Sequence, residues 1–246
     1  MQSCGENIMA INRKHILILG GSSDIGMSLV KLYLKKNWKV TAHYNSNLRN
    51  LKKIKSQNLL TKKFDFSLNI KSLESRLTKI FNDKYDAIIN LVGYIDNQGF
   101  QDFNINDCLK TIKINAVIPF FLINKLSSHM LKNKWGRILN CSSIGVKYGG
   151  GKNSFNYSLS KQTQEFLFSD IKKWAEKNVL YNVIRIGVIN TKIHKKIQNK
   201  DLNQRINLIP MKKMGKIEDI ENFIYFLVSE KNQFITGEKI TISGGE

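Results

Sequence analysis

His15-Ile-Leu-Ile-Leu-Gly-Gly-Ser-Ser-Asp-Ile-Gly26 reads as a strand, a glycine turn and the opening of a helix. Its first five residues are almost wholly apolar, the pattern of a short strand covered on both faces. Gly20-Gly21-Ser22-Ser23-Asp24-Ile25-Gly26 then leads into an amphipathic stretch over 24–36. Such a turn lets backbone N–H groups and the positive end of a helix dipole approach a pyrophosphate. A Cβ at the glycines would block the approach or the turn itself. The spacing departs from G-x-G-x-x-G and is weak as a bare pattern. Its place directly after the first strand gives it weight, because ligands bind at the carboxyl ends of strands in open parallel sheets.

The same alternation continues outward. Further short, β-branched runs fall at 38–44, 60–66, 85–93, 137–143, 180–187 and 239–245, and helical stretches near 47–57, 69–82, 105–132, 155–177 and 216–229. Strands interleaved with helices imply βαβ units. The expected fold is therefore α/β: a Rossmann-like, doubly wound, seven-stranded parallel sheet with helices on both faces. With no linker, repeat or low-complexity tract, one domain over 15–246 is expected, preceded by a flexible extension over 1–14. Residues 190–215 are too long for a simple turn and are expected to form a substrate lid.

Composition narrows the function classes. No run approaches the ~20 apolar residues of a membrane span, and the first ten residues lack the pattern of a secretory signal. Cys4, Cys108 and Cys141 are scattered, as are the four histidines, so reduced thiols, a cytoplasmic protein and no structural metal are expected. The net charge of +20 favours anionic partners. Only six of the 39 basic residues are Arg, however, and the Lys are spread over every segment. Base-reading proteins concentrate Arg on one face, so nucleic acid is not the expected partner.

The second strand runs out at Tyr44-Asn45-Ser46-Asn47 with no carboxylate to bond a ribose 2′-hydroxyl, while Ser46 and Arg49 are near. This favours NADP(H) over NAD(H), which stays possible. The chemical motif is Tyr157-Ser-Leu-Ser-Lys161. Residues four apart share a helix face, and an ammonium beside a phenol lowers its pKa towards the working range. Spacing alone proves little, since Tyr148 and Lys152 repeat it. That second pair brackets Gly149-Gly150-Gly151, where no helix would hold the two side chains together, whereas Tyr157 opens a helical run.

Taken in order, these features resemble the short-chain dehydrogenase/reductases over nearly the whole chain. Asp24 stands where the family's cofactor loop usually has its middle glycine. Asn90-Leu91-Val92-Gly93 is similar to the family's Asn-Asn-Ala-Gly strand end. Asn115 falls on the helix asparagine, Ser143 on the catalytic serine with Ser142 as a rival, and Tyr157 and Lys161 on the catalytic pair. Thr191, after Arg185-Ile186-Gly187, falls on the threonine that holds the nicotinamide carboxamide, with Gly187 and Ile189 beside it. Asp65, with Phe66, corresponds to the acidic residue near adenine. Ile186 stands where the family has Pro.

The resemblance implies that hydride reaches a carbonyl carbon while Tyr157 protonates the oxygen and Ser143 holds it. Lys161 would lower the Tyr157 pKa and bind ribose hydroxyls, and Asn115 would hold a water that returns protons from solvent. Length and the closing pattern look most like the 3-oxoacyl-(acyl-carrier-protein) reductases, with Lys134 and Lys177 at the positions that meet the carrier. The expected substrate is a small-molecule or carrier-bound carbonyl. One alternative is a sugar, polyol or nucleotide-sugar ketone, which Lys192, Lys195, Lys196 and Lys200 would suit if phosphorylated. Another is a non-catalytic RNA- or acidic-surface-binding protein. The family also implies a homotetramer built on the helices near 105–132 and 155–177 and on the last strand.

Overall fold

A computed structural model describes residues 13–68, 72–192 and 201–246. Seven parallel strands form one sheet in the order β3-β2-β1-β4-β5-β6-β7. They are β1 His15–Leu19, β2 Lys39–Tyr44, β3 Leu59–Lys63, β4 Ala87–Asn90, β5 Gly136–Ser143, β6 Val179–Ile186 and β7 Lys239–Ile242. The order reverses between β1 and β4, which opens a crevice at their carboxyl ends. The chain has the expected Rossmann-like architecture.

With both sheet faces covered, β1 is apolar from Ile16 to Leu19. Leu17 and Leu19 pack on one face with Ile88, Tyr181 and Val183. Ile16 and Ile18 pack on the other with Ile89, Leu139 and Ile184. α1 (Asp24–Lys35) and α8 (Ile217–Leu227) cover the second face, while α2 (Leu73–Ile80) and α4 (Ile118–Lys132) cover the first.

Three helical expectations are corrected. The stretch 47–57 holds only a 3-10 turn, Leu51–Lys53. Leu48, Leu51 and Ile54 all pack on the core, and a three-residue spacing eclipses in a 3-10 turn rather than forming an α-helical stripe. The stretch 105–132 is α3 (Ile105–Ile112) and α4 joined by a π turn, Lys113–Val117. The stretch 155–177 breaks into α5 (Phe155–Gln164) and α6 (Ile171–Ala175). Glu165 turns its carboxylate onto Ser142 and Arg185. Phe168 enters the core against Trp174 and Tyr181, so a helix continuing straight would pull one of them out. Residues 201–215 add a helix not expected, α7 (Leu202–Leu208), capped by Asp201.

Candidate active site

The phosphate end is a backbone cradle. Gly20 has φ +78°, in the left-handed region that a side chain disfavours. A Cβ on Gly26 would lie 2.5 Å from the Gly20 carbonyl oxygen. Ser23 locks the turn, its hydroxyl donating to Gly20 O at 2.8 Å and accepting from Gly26 N at 3.1 Å. Gly20 N donates to His43 Nδ1 at 3.2 Å, while His43 Nε2 lies 3.0 Å from Phe64 O. That network assigns the proton to Nε2, and burial holds the ring neutral by pushing its pKa down to about 4. Phe66 stacks on it at 4.4 Å. Sequence reading missed His43; its one signal is a titratable residue in a strand otherwise buried on both faces.

Asp24, at the first turn of α1, accepts from Lys192 N at 2.7 Å and so ties the turn to the segment after β6. Asn45 and Ser46 are exposed beyond β2. Asp65 accepts from Ser67 N at 2.8 Å beyond β3. Ser22 is half-buried on the glycine turn.

The chemical end is assembled at the carboxyl ends of β4 and β5. Asn90 accepts from Val92 N at 3.1 Å and donates to Asn140 at 3.0 Å, which shapes the turn to Gly93. Asn115 lies in the π turn, a distortion frequent at functional sites. Its Oδ1 accepts from Tyr94 N at 2.7 Å, and its Nδ2 donates to Tyr94 O at 2.9 Å and Ser160 Oγ at 2.8 Å. Asn115 thereby fastens the loop after β4 to α5. Tyr157 and Lys161 are one turn apart on α5, with Lys161 Nζ 5.8 Å from the Tyr157 ring centroid. The ammonium is buried and donates to Val92 O and Cys141 O, both at 2.8 Å, and to Gln164 Oε1 at 2.9 Å.

Ser143 and Tyr157 line the same cavity, and the serine hydroxyl favours the ionised phenol. Ser142 does not compete for that role, because its hydroxyl donates to Glu165 at 2.7 Å. Burial pushes Tyr157 up to about 12, and the Ser143 hydroxyl acts against that push. Burial also brings Lys161 down to about 8, opposed by Cys141 and Glu165. The expectation of a phenol lowered by Lys161 is not met in this structure: desolvation sets the direction of the shift, and the ammonium's hydrogens point at three other acceptors. A cavity of about 750 Å³ runs past these hydroxyls, from Ile25 and Leu91 beside the glycine turn to Ile144, Val188 and Leu208. A second, of about 680 Å³, lies on the other side of the turn against Asp24, Lys31 and Thr191.

A model of the Enoyl-(Acyl carrier protein) reductase family matches residues 20–246. The 3-oxoacyl-[acyl-carrier-protein] reductase FabG of Buchnera aphidicola subsp. Acyrthosiphon pisum is 29% identical over 96% of this chain and 98% of its own. The acetoacetyl-CoA reductase of Shinella zoogloeoides is 29% identical over 94% of this chain and 97% of its own. Among solved structures, ElxO with NADP bound is 26% identical with a TM-score of 0.79, covering 94% of this chain and 98% of that one. The 3-oxoacyl (acyl-carrier-protein) reductase of Agrobacterium tumefaciens C58 shares the fold, with a TM-score of 0.82 at 20% identity over 95% and 94% of the two chains. The chain belongs to the short-chain dehydrogenase/reductase family. It is an NAD(P)-dependent oxidoreductase.

In this reductase Gly187 is required by packing, since a Cβ there would lie 2.5 Å from Ser243 Cα. Ile189 bridges to Gly215, and Thr191 Oγ1 donates to Ile189 O at 3.2 Å while lining both cavities. Tyr148 ends a 3-10 turn, Ile144–Tyr148, so it shares no helix face with Lys152. Asn45, Ser46, Asp65 and Phe66 line neither of these two cavities. Lys134 and Lys177 sit before β5 and β6, at the amino end of the sheet. That is roughly 23 Å along the strands from Ser143, so within one chain they do not flank the cavity. Lys195, Lys196 and Lys200 lie outside the described residues; Lys192 is exposed. Among the described residues no helix is long and apolar enough to cross a membrane, and no cluster of metal-ligating side chains occurs.

Proposed function

We propose that this reductase uses NADPH to reduce the ketone of a 3-oxoacyl thioester to the secondary alcohol. The observation that carries the reading is that Ser143, Tyr157 and Lys161 line one cavity, which also meets Ile25 of the glycine turn. When bound, the cofactor supplies the hydride; the turn, with φ +78° at Gly20 and no room for a Cβ on Gly26, suits its pyrophosphate. Tyr157 gives its proton to the carbonyl oxygen and Ser143 holds that oxygen as charge develops. Lys161 supplies the positive field beneath them, and Asn115 holds α5 in place. The catalytic set is thus Asn115, Ser143, Tyr157 and Lys161.

The cavity lining includes Ile95, Ile144, Val188 and Leu208, apolar surface that suits an acyl chain better than a polyhydroxylated sugar. The named activities of the Buchnera and Shinella relatives point the same way. Preference for NADPH is supported by the absence of a carboxylate after β2, by Arg49 nearby, and by the NADP in the ElxO structure. Residues 201–215 act as the substrate-side lid over a domain that begins near residue 15, since Gln204, Arg205 and Leu208 line the cavity. A homotetramer is in keeping with exposed Ile105 and Leu109 on α3, Val117 in the π turn, Leu159 on α5 and Phe166 just past it, in the two stretches the family pairs; light scattering tests it.

The deciding experiment follows NADPH oxidation with acetoacetyl-CoA. Turnover is expected, faster than with NADH. A panel in which only sugar ketones react would overturn the substrate, and undiminished turnover by Tyr157→Phe would overturn the site.

A further inference from the structure

Lys161 Nζ is an ammonium with three hydrogens and no acceptor. Val92 O, Cys141 O and Gln164 Oε1 take all three, at 2.8, 2.8 and 2.9 Å. Two of these acceptors are main-chain carbonyls fixed at the strand ends. The third is the only side chain, and its other end is also committed: Gln164 Nε2 donates to the Asn115 carbonyl oxygen at 3.0 Å. The amide therefore spans from the catalytic lysine to the π turn. Gln164 is fully buried, as is the neighbouring Asn115.

Resting on the catalytic reading above, we infer that Gln164 is a positioning residue for Lys161, a protein-borne bridge where a water would otherwise be needed to connect the ammonium to the Asn115 carbonyl. A water can accept a proton on one side and release one on the other. An amide bridge cannot do this in its ordinary form, because Oε1 only accepts and Nε2 only donates. The proton that Tyr157 gives to substrate is then replaced from water in the cavity that the phenol lines, not through Lys161 and Asn115. Gln164 instead holds the lysine charged and in place.

The charged and titratable groups around Lys161 are Tyr157 on its own helix, Glu165 just past the end of that helix, Cys141 on β5, and Arg185 on β6, already paired with Glu165. None is altered by replacing Gln164, so a change in Lys161 titration reports the bridge.

The test starts on cofactor-free protein carrying ¹³Cε-lysine, with the Lys161 signal identified by its loss in Lys161→Met. Gln164→Met keeps the volume and removes the acceptor. Lys161 is expected to titrate roughly one unit lower, the worth of one hydrogen bond to a charged group. Gln164→Ala makes room for a water with polar partners on both sides. Its crystal structure is expected to show that water bonded to Lys161 Nζ and Asn115 O, with a smaller drop in titration. In ketone reduction, which needs the charged lysine, the high-pH limb of kcat/KM should move down with the titration. Gln164→Glu should move it up, and serves as the stable variant if the others unfold. A Lys161 titration unmoved in Met and Glu variants would overturn the inference, as would a wild-type crystal structure with a water between Lys161 and Asn115. If wild type reduces no ketone, the catalytic reading fails while the NMR result still decides whether the bridge exists.

Discussion

Replacing Arg185 by Met isolates the ion pair that ends the catalytic helix. The Glu165 side chain is fully buried. It receives Arg185 Nε at 2.9 and 3.0 Å, Arg185 Nη2 at 2.6 Å and Ser142 Oγ at 2.7 Å. Arg185→Met leaves a buried carboxylate with the Ser142 hydroxyl alone. Losing one partner of such a pair costs about 3–5 kcal/mol. The Arg185 side chain keeps 22% of its exposure, so solvent screens part of the attraction and the low end, about 3 kcal/mol, is expected. For a domain of this size that is roughly 6–12 °C in Tm, and it appears in urea as a lower midpoint with an unchanged slope. Adding Glu165→Gln removes the stranded charge and should restore more than about half of the loss. A single-variant cost below about 1 kcal/mol, the range of an exposed pair, would refute the reasoning, as would a double variant no more stable than Arg185→Met.

Tyr157→Phe should lower turnover by about 10²–10⁴-fold, the usual worth of a positioned acid, with NADPH affinity by fluorescence titration within a few-fold of wild type. Ser143→Ala should lose activity in the same assay, whereas Ser142→Ala should act mainly on stability, because its hydroxyl is bonded to Glu165. Gly26→Ala forces a Cβ against the Gly20 carbonyl oxygen and should weaken cofactor binding by about tenfold or more. His15 and His43 are both pushed down to about 4 by burial. Between pH 4 and 6.5 the unfolded chain binds more protons, so stability should fall as pH drops through that window, by up to about 3 kcal/mol per ring. Urea midpoints at pH 7 and 5 check this, and equal midpoints would contradict it.

The strands were legible because a parallel sheet covered on both faces needs unbroken apolar runs, and Ile16–Leu19 is such a run. The places of Gly20–Gly26, Ser143 and Tyr157 follow from that frame, since each lies just past a strand or opens the next helix. What escaped depends on contacts between distant residues. The break after Gln164 comes from Glu165 meeting Arg185, 20 positions on, and nothing in 155–177 alone distinguishes that glutamate from a solvated one. His43 supports the glycine turn across 23 positions, and Gln164 reaches back to Asn115 across 49. Periodicity is a property of one element at a time and carries none of these three contacts. At 47–57 the apolar residues Leu48, Leu51 and Ile54 recur every three positions, which suits the 3-10 turn found there.

The polar contacts around α5 share a direction. Asn115 reaches it from the π turn, Asn140 and Ser142 from β5, Arg185 from β6, and Lys161 leans from it onto Val92 and Cys141. An apolar interface would tolerate a small slide of the helix, because dispersion contacts are individually weak and exchangeable. Buried hydrogen bonds do not, since each broken donor or acceptor is left without water. A ten-residue helix cut off from α6 would otherwise be free to shift against the sheet, carrying Tyr157 away from Ser143. The price of burying Glu165, Gln164 and Lys161 together is therefore matched to the catalytic requirement: the helix is short, and its fixed position comes from polar anchors between Ser160 and Glu165 rather than from length.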